Sequence, residues 1–377
     1  MPCLRKLVYP TDLLSSQTLA INIPGISPNR SIFHLITFGI GKTEMEKSLC
    51  LFVVLSLLHL QVGLCQTTEN LNSDGLQKVA HEKIVWTEAD ELPLPFSPSG
   101  VCALNGKIYV VAGRQNAIQK DVDLTLEYNP QKNQWTKKAK LPFPSHLHTI
   151  VSLDDKIYLF NSDMQNNFVY DPNADSWQSI APNADKRIPG SGIAYDGKIY
   201  IIGGIHNIIF DLSDRIDVYD PKTDSWSQKK SMPEVRLGIC TIVDDKVLVI
   251  GGWQPVPGHR RVQTSQRVQV YDPATEKWEN KCDLPFGLVG SAVTLGSKVY
   301  VMGCGTGEIP GQTKDLTTVL MYNPSTDMWQ TTTDLPRLAV GAGFTVLDES
   351  IYMVGGCAGQ QNGWTDYAST FRGDIMN

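Results

Sequence analysis

The sequence lacks the short motifs that mark the common hydrolase and nucleotide-binding active sites. It contains no G-x-S-x-G, no H-E-x-x-H and no Walker loop. Its seven histidines are scattered. Only His146 and His148 are spaced to present two imidazoles on one side of a strand, and no third ligand stands at a fixed spacing from them. We therefore predict no catalytic residue, no metal site and no cofactor.

Basic runs and metal-type cysteine pairs are also missing. The formal net charge is −6 and no long stretch of lysine or arginine occurs, which argues against nucleic acid as a partner. Eight cysteines are present without a C-x-x-C pair, and we interpret them as small buried hydrophobic residues. A Cys304–Cys357 disulfide stays open as an alternative, because the two residues follow equivalent strands of adjacent repeats.

No uninterrupted apolar run reaches the length of about twenty residues that a membrane-spanning helix needs. The longest run, residues 49–60, follows Met45, and Gly63 and Cys65 would occupy the −3 and −1 positions of a cleavage site. Residues 45–65 therefore resemble a secretory signal peptide, with a signal anchor or no targeting role as alternatives. No N-x-[ST] sequon follows Cys65, which weighs mildly against secretion.

This segment sets the expected compartment and domain boundaries. Residues 1–44 are predicted to be an unstructured or mis-predicted N-terminal extension, with translation starting at Met45, and residues 66–83 a linker. The protein would then be secreted or lie in the lumen of the secretory pathway, with the cytoplasm as the alternative. No stable membrane insertion is expected.

A repeat of roughly fifty residues organises the rest of the chain. A tyrosine stands seven residues before each of five tryptophans, and an Asn-Pro or Asp-Pro step such as Asp220-Pro221 follows each tyrosine and starts a tight turn. Each tyrosine thus ends one strand and each tryptophan lies on the next. The tryptophans are Trp135, Trp177, Trp226, Trp278 and Trp329, with Trp86 ahead of them.

Two further strands complete each unit. Gly197-Lys-Ile-Tyr-Ile-Ile-Gly-Gly204 and its copies are β-branched and aromatic runs, and a two-residue turn such as Asp196-Gly197 joins each to a preceding apolar run rich in small residues. We label the four antiparallel strands a, b, c and d. The last unit stops after strand c, whereas Ile84–Trp86 is a spare strand d at the start. The pattern predicts an all-β, six-bladed β-propeller over residues 84–377, with the last blade completed by the N-terminal Trp86 strand.

The motifs Tyr219-Asp-Pro-Lys-Thr-Asp-Ser-Trp226 and Gly197–Gly204 resemble the kelch repeat over about residues 84–377. Many kelch proteins carry an N-terminal BTB domain and recruit substrates to cullin-type ubiquitin ligases. No pattern resembling that domain precedes the repeats in this sequence, so the resemblance is to a kelch-like protein lacking a BTB domain. The resemblance identifies the fold specifically, but it says little about the function, because kelch propellers have many functions.

Variable loops indicate where such a propeller would bind a partner. The b–c loops and d–a connections share one face, and the b–c loops differ in length. We therefore predict the partner-binding surface on that face, the alternatives being buried aromatic and solvated polar side chains. The candidates there are Trp253, Trp364, Arg114, His206, Asn207, Arg260, Gln360 and Asn362.

Two arginines are added by the resemblance alone. In kelch proteins that bind acidic peptide motifs, an arginine near the start of strand a faces the pocket, which suggests that role for Arg187 and Arg236. They stand nine and eight residues before the a–b turns at Asp196 and Asp244. The alternative is a pair of surface arginines without a partner.

The sequence as a whole predicts a non-catalytic protein–protein interaction module whose protein partner is unknown. One alternative is a secreted carbohydrate-binding or mutarotase-like propeller, since kelch-like propellers include a sialic acid mutarotase. The other is the substrate-recognition subunit of a ubiquitin ligase, if the chain is truncated.

Overall fold

Twenty-seven β-strands make up the regular structure of the computed structural model, which describes residues 82–162, 164–206, 211–259, 261–303, 317–338, 340–360 and 363–376. Residues 1–44, residues 45–65 and all but the last two residues of the 66–83 linker lie outside this description, so those assignments stay predictions. Within the described residues, the structure contains no helix with the length and apolarity needed to cross a membrane.

The strands form six four-stranded antiparallel sheets, which confirms the prediction of a six-bladed all-β propeller. Strand β1 (Lys83–Ala89) precedes the first blade. Blade 1 contains β2 (Ser97–Leu104), β3 (Lys107–Gln115), β4 (Lys120–Asn129) and β5 (Gln134–Lys138). Blade 2 contains β6 (Thr149–Leu153), β7 (Lys156–Phe160), β8 (Asn167–Asp171) and β9 (Ser176–Ile180). Blade 3 contains β10 (Ile188–Tyr195), β11 (Lys198–Ile205), β12 (Leu212–Asp220) and β13 (Ser225–Lys229).

The remaining blades follow the same order, with two additions in their b–c loops. Blade 4 contains β14 (Leu237–Val243), β15 (Lys246–Pro255), β17 (Val268–Asp272) and β18 (Lys277–Asn280), and the short β16 (Val262–Thr264) pairs with β15. Blade 5 contains β19 (Gly290–Leu295), β20 (Lys298–Gly303), β21 (Val319–Asn323) and β22 (Met328–Thr331). Blade 6 contains β23 (Gly343–Leu347), β24 (Ser350–Val354) and β27 (Thr370–Met376), with the separate hairpin β25 (Cys357–Gln360) and β26 (Gly363–Asp366).

Strand β1 is the fourth strand of blade 6, in the order β23-β24-β27-β1. It pairs antiparallel with β27, placing Trp86 opposite Gly373 and Lys83 opposite Met376. Glu82, directly before β1, accepts a 2.6 Å hydrogen bond from the Tyr300 hydroxyl and lies 2.5 Å from Lys298 Nζ, both in blade 5. The two ends of the described chain therefore meet in one sheet.

Burial follows the position of a strand in its blade. The second strands are buried along both faces, because neighbouring blades cover them, and this is why their sequences are continuous apolar runs. Fourth strands lie at the outer edge and are largely exposed. Five of the six predicted a–b turns form with both central residues at positive φ, as at Asp196 (47°) and Gly197 (67°), and in the blade 5 turn only Gly296 (60°) has a positive φ.

The repeated tyrosine and tryptophan pack on each other and also join neighbouring blades. Tyr219 and Trp226 have ring centroids 5.2 Å apart, and four other blades repeat this contact. The Tyr219 hydroxyl donates to Asp224 at 2.6 Å, Asp224 accepts the Ala181 N–H at 2.8 Å, and the Trp226 indole donates to the Ala181 carbonyl at 3.0 Å. Ala181 belongs to the connection from blade 2. We call this arrangement the clasp.

The clasp recurs at blades 1, 2 and 5, with Asn133 replacing the aspartate in blade 1. Blade 4 departs from it, because Glu276 occupies the aspartate position. The longer carboxylate binds Lys229 at 2.7 Å and the Lys230 N–H at 3.2 Å. Tyr271 Oη and Trp278 Nε1, both buried, have no hydrogen-bond partner among the described residues. The seam between blades 3 and 4 thus lacks two of its hydrogen bonds.

Candidate functional site

The b–c loops and d–a connections lie on one side of the propeller, which we call the loop face; the a–b and c–d turns form the opposite turn face. Six large hydrophobic side chains are exposed in the described part of the chain. Isolated exposed apolar residues are common, but a concentration on one face indicates an interaction surface. Four of the six are on the loop face, namely Ile118, Leu147, Val235 and Trp364, and the other two, Val85 and Met376, lie on adjacent strands of blade 6.

Trp364 is 45% exposed on the β25–β26 hairpin. It pairs with Gly359, and Gly363 turns the hairpin with a φ of 138° that favours glycine. Asp366 at the end of the hairpin accepts the N–H groups of Asn116 at 3.0 Å and Ala117 at 2.9 Å, in the b–c loop of blade 1. The hairpin is therefore fixed to the neighbouring blade, so the exposed indole is carried by a rigid support.

The blade 1 loop is fixed in turn by charged contacts at its base. Arg114 on β3 pairs with Asp121 on β4 at 2.5 Å and donates to Gln119 at 2.8 Å. His146, in the connection to blade 2, lies 2.8 Å from the same Asp121 carboxylate. These contacts hold two exposed hydrophobic residues, Ile118 at 64% and Leu147 at 42% exposure, on adjoining segments. We call Ile118, Leu147 and Trp364 the blade 1 patch.

Arg187 and Arg236 were expected to face a partner, and the structure places both inside the blades. Arg187 is 1% exposed, donates to the Gly203 carbonyl at 2.9 Å and pairs with Asp217 at 2.6 Å as well as with Asp185. Because its guanidinium is enclosed by these groups, Arg187 offers no exposed surface to a protein partner.

Arg236 is enclosed in the same manner. It is fully buried and donates to the Arg267 carbonyl at 2.7 Å, to Gln269 Oε1 at 2.7 Å and to the Val249 carbonyl at 3.3 Å. Burial lowers the pKa of this arginine from its ordinary value. Its acceptors belong to β15, to β17 and to the residue just before β17, so Arg236 ties the start of its own blade together.

In blades 1, 3, 4 and 5, the residue entering the blade matches a residue on the third strand in polarity. Arg187 faces Asp217 in blade 3, and Arg236 faces Gln269 in blade 4. The corresponding residues in blade 5 are Leu288 and Leu320, which are buried in one apolar cluster. Blade 1 has the equivalent apolar pair, Phe96 and Leu126. In blades 3 and 4 the entering arginine thus faces an acceptor on the third strand, and the two arginines are explained by packing inside their own blades.

His206 and Trp253 are two more of the predicted partner-binding residues. His206 Nε2 lies 3.2 Å from Asp185, beside Arg215 and Arg187. Burial alone would raise the pKa of Asp185, but the charges of Arg187, His206 and Arg215 hold this pKa below its ordinary value. The carboxylate is thus kept ionised and already paired. Trp253 is partly buried on β15, where its backbone pairs with Leu237 and Thr264.

The structure does not describe the side chains of four predicted partner-binding residues. Asn207, Arg260 and Asn362 lie outside the described residues, as does Cys304 of the proposed disulfide. Gln360 is described only as the backbone partner of Gly363. Conversely, no pattern in the sequence marks Ile118, Leu147 or Asp366 as part of a site. A loop aspartate carries no signal by itself, and the Asp366 contact joins residues 250 positions apart.

The described side chains include no group of three or more His, Cys, Asp or Glu residues arranged to hold a metal ion. His148, the second imidazole noticed in the sequence, is buried, and burial lowers its pKa to about 4. His146 instead pairs with Asp121. The two imidazoles therefore have separate surroundings and separate partners.

Comparison with known proteins agrees with this architecture. The kelch motif matches residues 95–142, 187–233 and 240–281. The chain is 25% identical over 308 residues to Kelch-like protein 35 of Mus musculus, covering 80% of this chain and 50% of that protein. It is 22% identical over 301 residues to Beta-scruin of Limulus polyphemus, covering 74% of this chain and 32% of that protein. The chain thus spans half or less of the length of these relatives.

Among solved structures, YjhT superimposes with a TM-score of 0.62 at 16% identity, covering 77% of this chain and 99% of that chain. At this identity the likeness concerns the fold alone. Taken with the matched motifs and the six four-stranded blades, it leads to one conclusion. The chain contains three matched kelch motifs and folds as a six-bladed β-propeller, as expected for a protein similar to kelch-repeat proteins.

Proposed function

We propose that this protein is a non-catalytic interaction module that binds a protein partner through its loop face, with the blade 1 patch as the anchor. The observation that carries the proposal is the concentration of exposed hydrophobic residues on that face, on loops held by Asp366 and Asp121. Large aromatic anchors on rigid supports contribute most of the binding energy in protein interfaces, because little conformational freedom is lost on binding.

The test compares two matched double variants of the full chain. Ile118→Ala/Trp364→Ala removes two exposed side chains of the patch, whereas Val85→Ala/Met376→Ala removes two side chains of comparable exposure from the edge of blade 6. Proteins crosslinked to the wild type would be identified by mass spectrometry, and the affinity of each purified candidate would then be measured for all three proteins.

We expect the patch variant to weaken binding at least 10-fold and the edge variant to leave it unchanged. Equal binding by the wild type and the patch variant would reject the blade 1 patch. Loss of binding by the edge variant alone would move the interface to blade 6.

The compartment is proposed on separate grounds. The signal-like segment 45–65 supports entry into the secretory pathway, with cleavage after Cys65. Expression of the full coding sequence in animal cells, followed by N-terminal sequencing of the protein from medium and lysate, tests this proposal. A mature start near Gln66 in the medium is expected, and an intact N-terminus confined to the cytosol would contradict it.

The carbohydrate alternative has less support on this face. Acid–base catalysis on a sugar needs carboxyl groups with free protons or lone pairs directed at the ligand. Asp185 and Asp217 are instead engaged by Arg187 and Arg215. A ubiquitin-ligase role depends on segments beyond the propeller, and neither alternative draws on a particular observation in the described residues.

A further inference from the structure

The junction between blades 6 and 1 joins the two ends of the described chain, and we call it the closure seam. At the outer edge of the propeller it consists of the β1–β27 pairing. In the connection from β1 to β2, the Leu92 N–H donates to the Ala368 carbonyl at 2.8 Å, and the Phe96 N–H donates to the Tyr367 carbonyl at 3.2 Å. The last blade is thus bonded to the first along the whole of this connection.

The closure seam continues onto the loop face through Asp366. Its Oδ1 accepts the Asn116 N–H at 3.0 Å and the Asn116 side-chain amide at 3.1 Å, and its Oδ2 accepts the Ala117 N–H at 2.9 Å. Hydrogen bonds to a carboxylate are about twice as strong as those between neutral groups. This one side chain therefore fastens the b–c loop of blade 1 to blade 6.

The contacts of the closure seam inside β1 all come from three consecutive residues, 366–368. The segment is also held to its own blade, because the Arg337 guanidinium lies 3.2 Å from the centroid of the Tyr367 ring and donates to Ser369 Oγ at 3.0 Å. Consecutive Cα atoms are only about 3.8 Å apart, so one of these residues cannot leave blade 1 without displacing the others. We therefore expect the three contacts to open together.

The blade 1 patch stands on both sides of the closure seam. Trp364 belongs to blade 6 and is two residues from Asp366 on β26, so the two side chains lie on the same side of that strand. Ile118 directly follows Ala117, whose N–H Asp366 binds. Leu147 follows blade 1 in the connection to blade 2. The two halves of the patch therefore come from opposite ends of the described chain.

We propose that the closure seam and the blade 1 patch form one cooperative unit, so that the patch is complete only while the two ends of the propeller are joined. Opening of the seam separates Trp364 from Ile118. By linkage, a partner that contacts both residues stabilises the closed propeller as strongly as closure favours the partner. This effect on a partner rests on the proposed function, whereas the cooperativity of the seam is a property of the propeller alone.

Amide hydrogen exchange of the full chain, read residue by residue by NMR, tests the cooperative unit. In Asp366→Ala the Asn116 and Ala117 amides lose their acceptor, so their faster exchange is expected in any case. The reporter amides are those of Leu92 and Phe96, whose acceptors are main-chain carbonyls that the substitution leaves in place. If they exchange through an opening of the whole seam, their protection should fall at least 10-fold.

Asp374→Ala is the matched control. This aspartate of β27 accepts hydrogen bonds from Ser350 at 2.6 Å and Arg372 at 2.8 Å, within its own blade, and its loss should leave the reporter amides unchanged. The Gly252 N–H, bonded to the Leu288 carbonyl at 2.7 Å at the seam between blades 4 and 5, is the internal reference. It should keep its protection in both variants, which separates an opening of the closure seam from a general loss of stability.

Leu92→Ala tests the reverse direction. Leu92 is 4% exposed and belongs to a cluster that contains Val354 of blade 6 and Ile108 of blade 1. Truncation of this buried side chain loosens the seam below the loop face, and protection of the Asn116 and Ala117 amides should then fall about 10-fold. Unchanged protection of these two amides would show that the Asp366 contact opens independently, which contradicts the proposal.

The wild type decides even if a variant does not fold. In low concentrations of denaturant, the reporter amides and those of Asn116 and Ala117 should converge on one opening free energy with one denaturant slope. Separate slopes would overturn the proposal. So would reporter amides unaffected by Asp366→Ala, or an equal fall in protection at Gly252.

These measurements use no partner, so the two proposals can fail separately. Normal binding by Ile118→Ala/Trp364→Ala would remove the patch as the anchor and leave the cooperative seam standing. A partner captured in the test of the proposed function, added at 100 times its Kd, should slow exchange of the reporter amides about 100-fold. A partner that needs Ile118 and Trp364 but leaves these amides unchanged would contradict the linkage and leave the proposed function intact.

Discussion

The hydroxyl of Tyr219 donates a 2.6 Å hydrogen bond to Asp224, and the same carboxylate oxygen accepts the Ala181 N–H from the preceding blade. One aspartate thereby satisfies a buried phenol and a backbone group of another blade. Burial and this hydrogen bond raise the pKa of Tyr219 well above its ordinary value. The clasp is a local sequence motif whose effect is to join blades.

Glu276→Asp should stabilise the protein. The shorter side chain places its carboxylate where Asp224 has it in blade 3, within reach of the unpartnered Tyr271 hydroxyl. Satisfying this buried group should raise the free energy of unfolding by about 1 kcal/mol, while the exposed contact to Lys229 contributes little. Urea denaturation measures the change. The control Asp224→Glu should be destabilising, and a less stable Glu276→Asp protein would contradict this account of the clasp.

Asp217→Leu should cost about 2–3 kcal/mol of stability, because it removes the strand partner of the buried Arg187 charge while Asp185 still pairs with it. Arg187→Leu/Asp217→Leu should recover most of that loss, since Leu288 and Leu320 form the same pair in blade 5. Denaturant unfolding of both variants provides the test. If the double variant is no more stable than the single one, an apolar pair cannot replace the Arg187–Asp217 pair in blade 3.

Deleting residues 82–90 from the full chain should abolish cooperative unfolding and reduce solubility. The deletion removes β1, exposes the edge of β27 and takes away the Glu82 contacts to blade 5. Deleting residues 1–65 is the matched control and should leave the thermal midpoint unchanged. Calorimetry of the two deletions decides, and equal midpoints would mean that blade 6 is wrongly assigned.

Cys102 and Cys240 should resist alkylation in the native protein at pH 8. Both thiols are buried, and burial raises the pKa of each to about 12, so the reactive thiolate is scarce and shielded. Iodoacetamide labelling followed by peptide mass spectrometry should modify them only after unfolding in urea. Rapid labelling of either residue without urea would indicate that its strand opens in the native state.

The sequence predicted the blades well because the signals are local. The step from Tyr219 to Trp226 defines a tight turn, and the Gly197–Gly204 run defines a buried strand, so spacing alone orders the sheets. The site was harder to predict. Arg187 reads as a surface residue until Asp217 on another strand is known to face it. The support of Trp364 was not predictable, because Asp366 reaches its partners across the junction between the last blade and the first.

The pairing of Lys83 with Met376 also determines the side of the propeller on which a fused domain would begin. Lys83 and Met376 lie on the turn face, on the same side as the a–b turn at Asp348 and opposite the blade 1 patch. A fusion partner joined directly before Lys83 or directly after Met376 would therefore begin on the turn face, away from the loop face. In a chain trimmed to residues 83–376, a short peptide between these two residues would make the backbone circular. New termini cut at a c–d turn such as residues 171–176 would then give a circular permutant that keeps all six sheets.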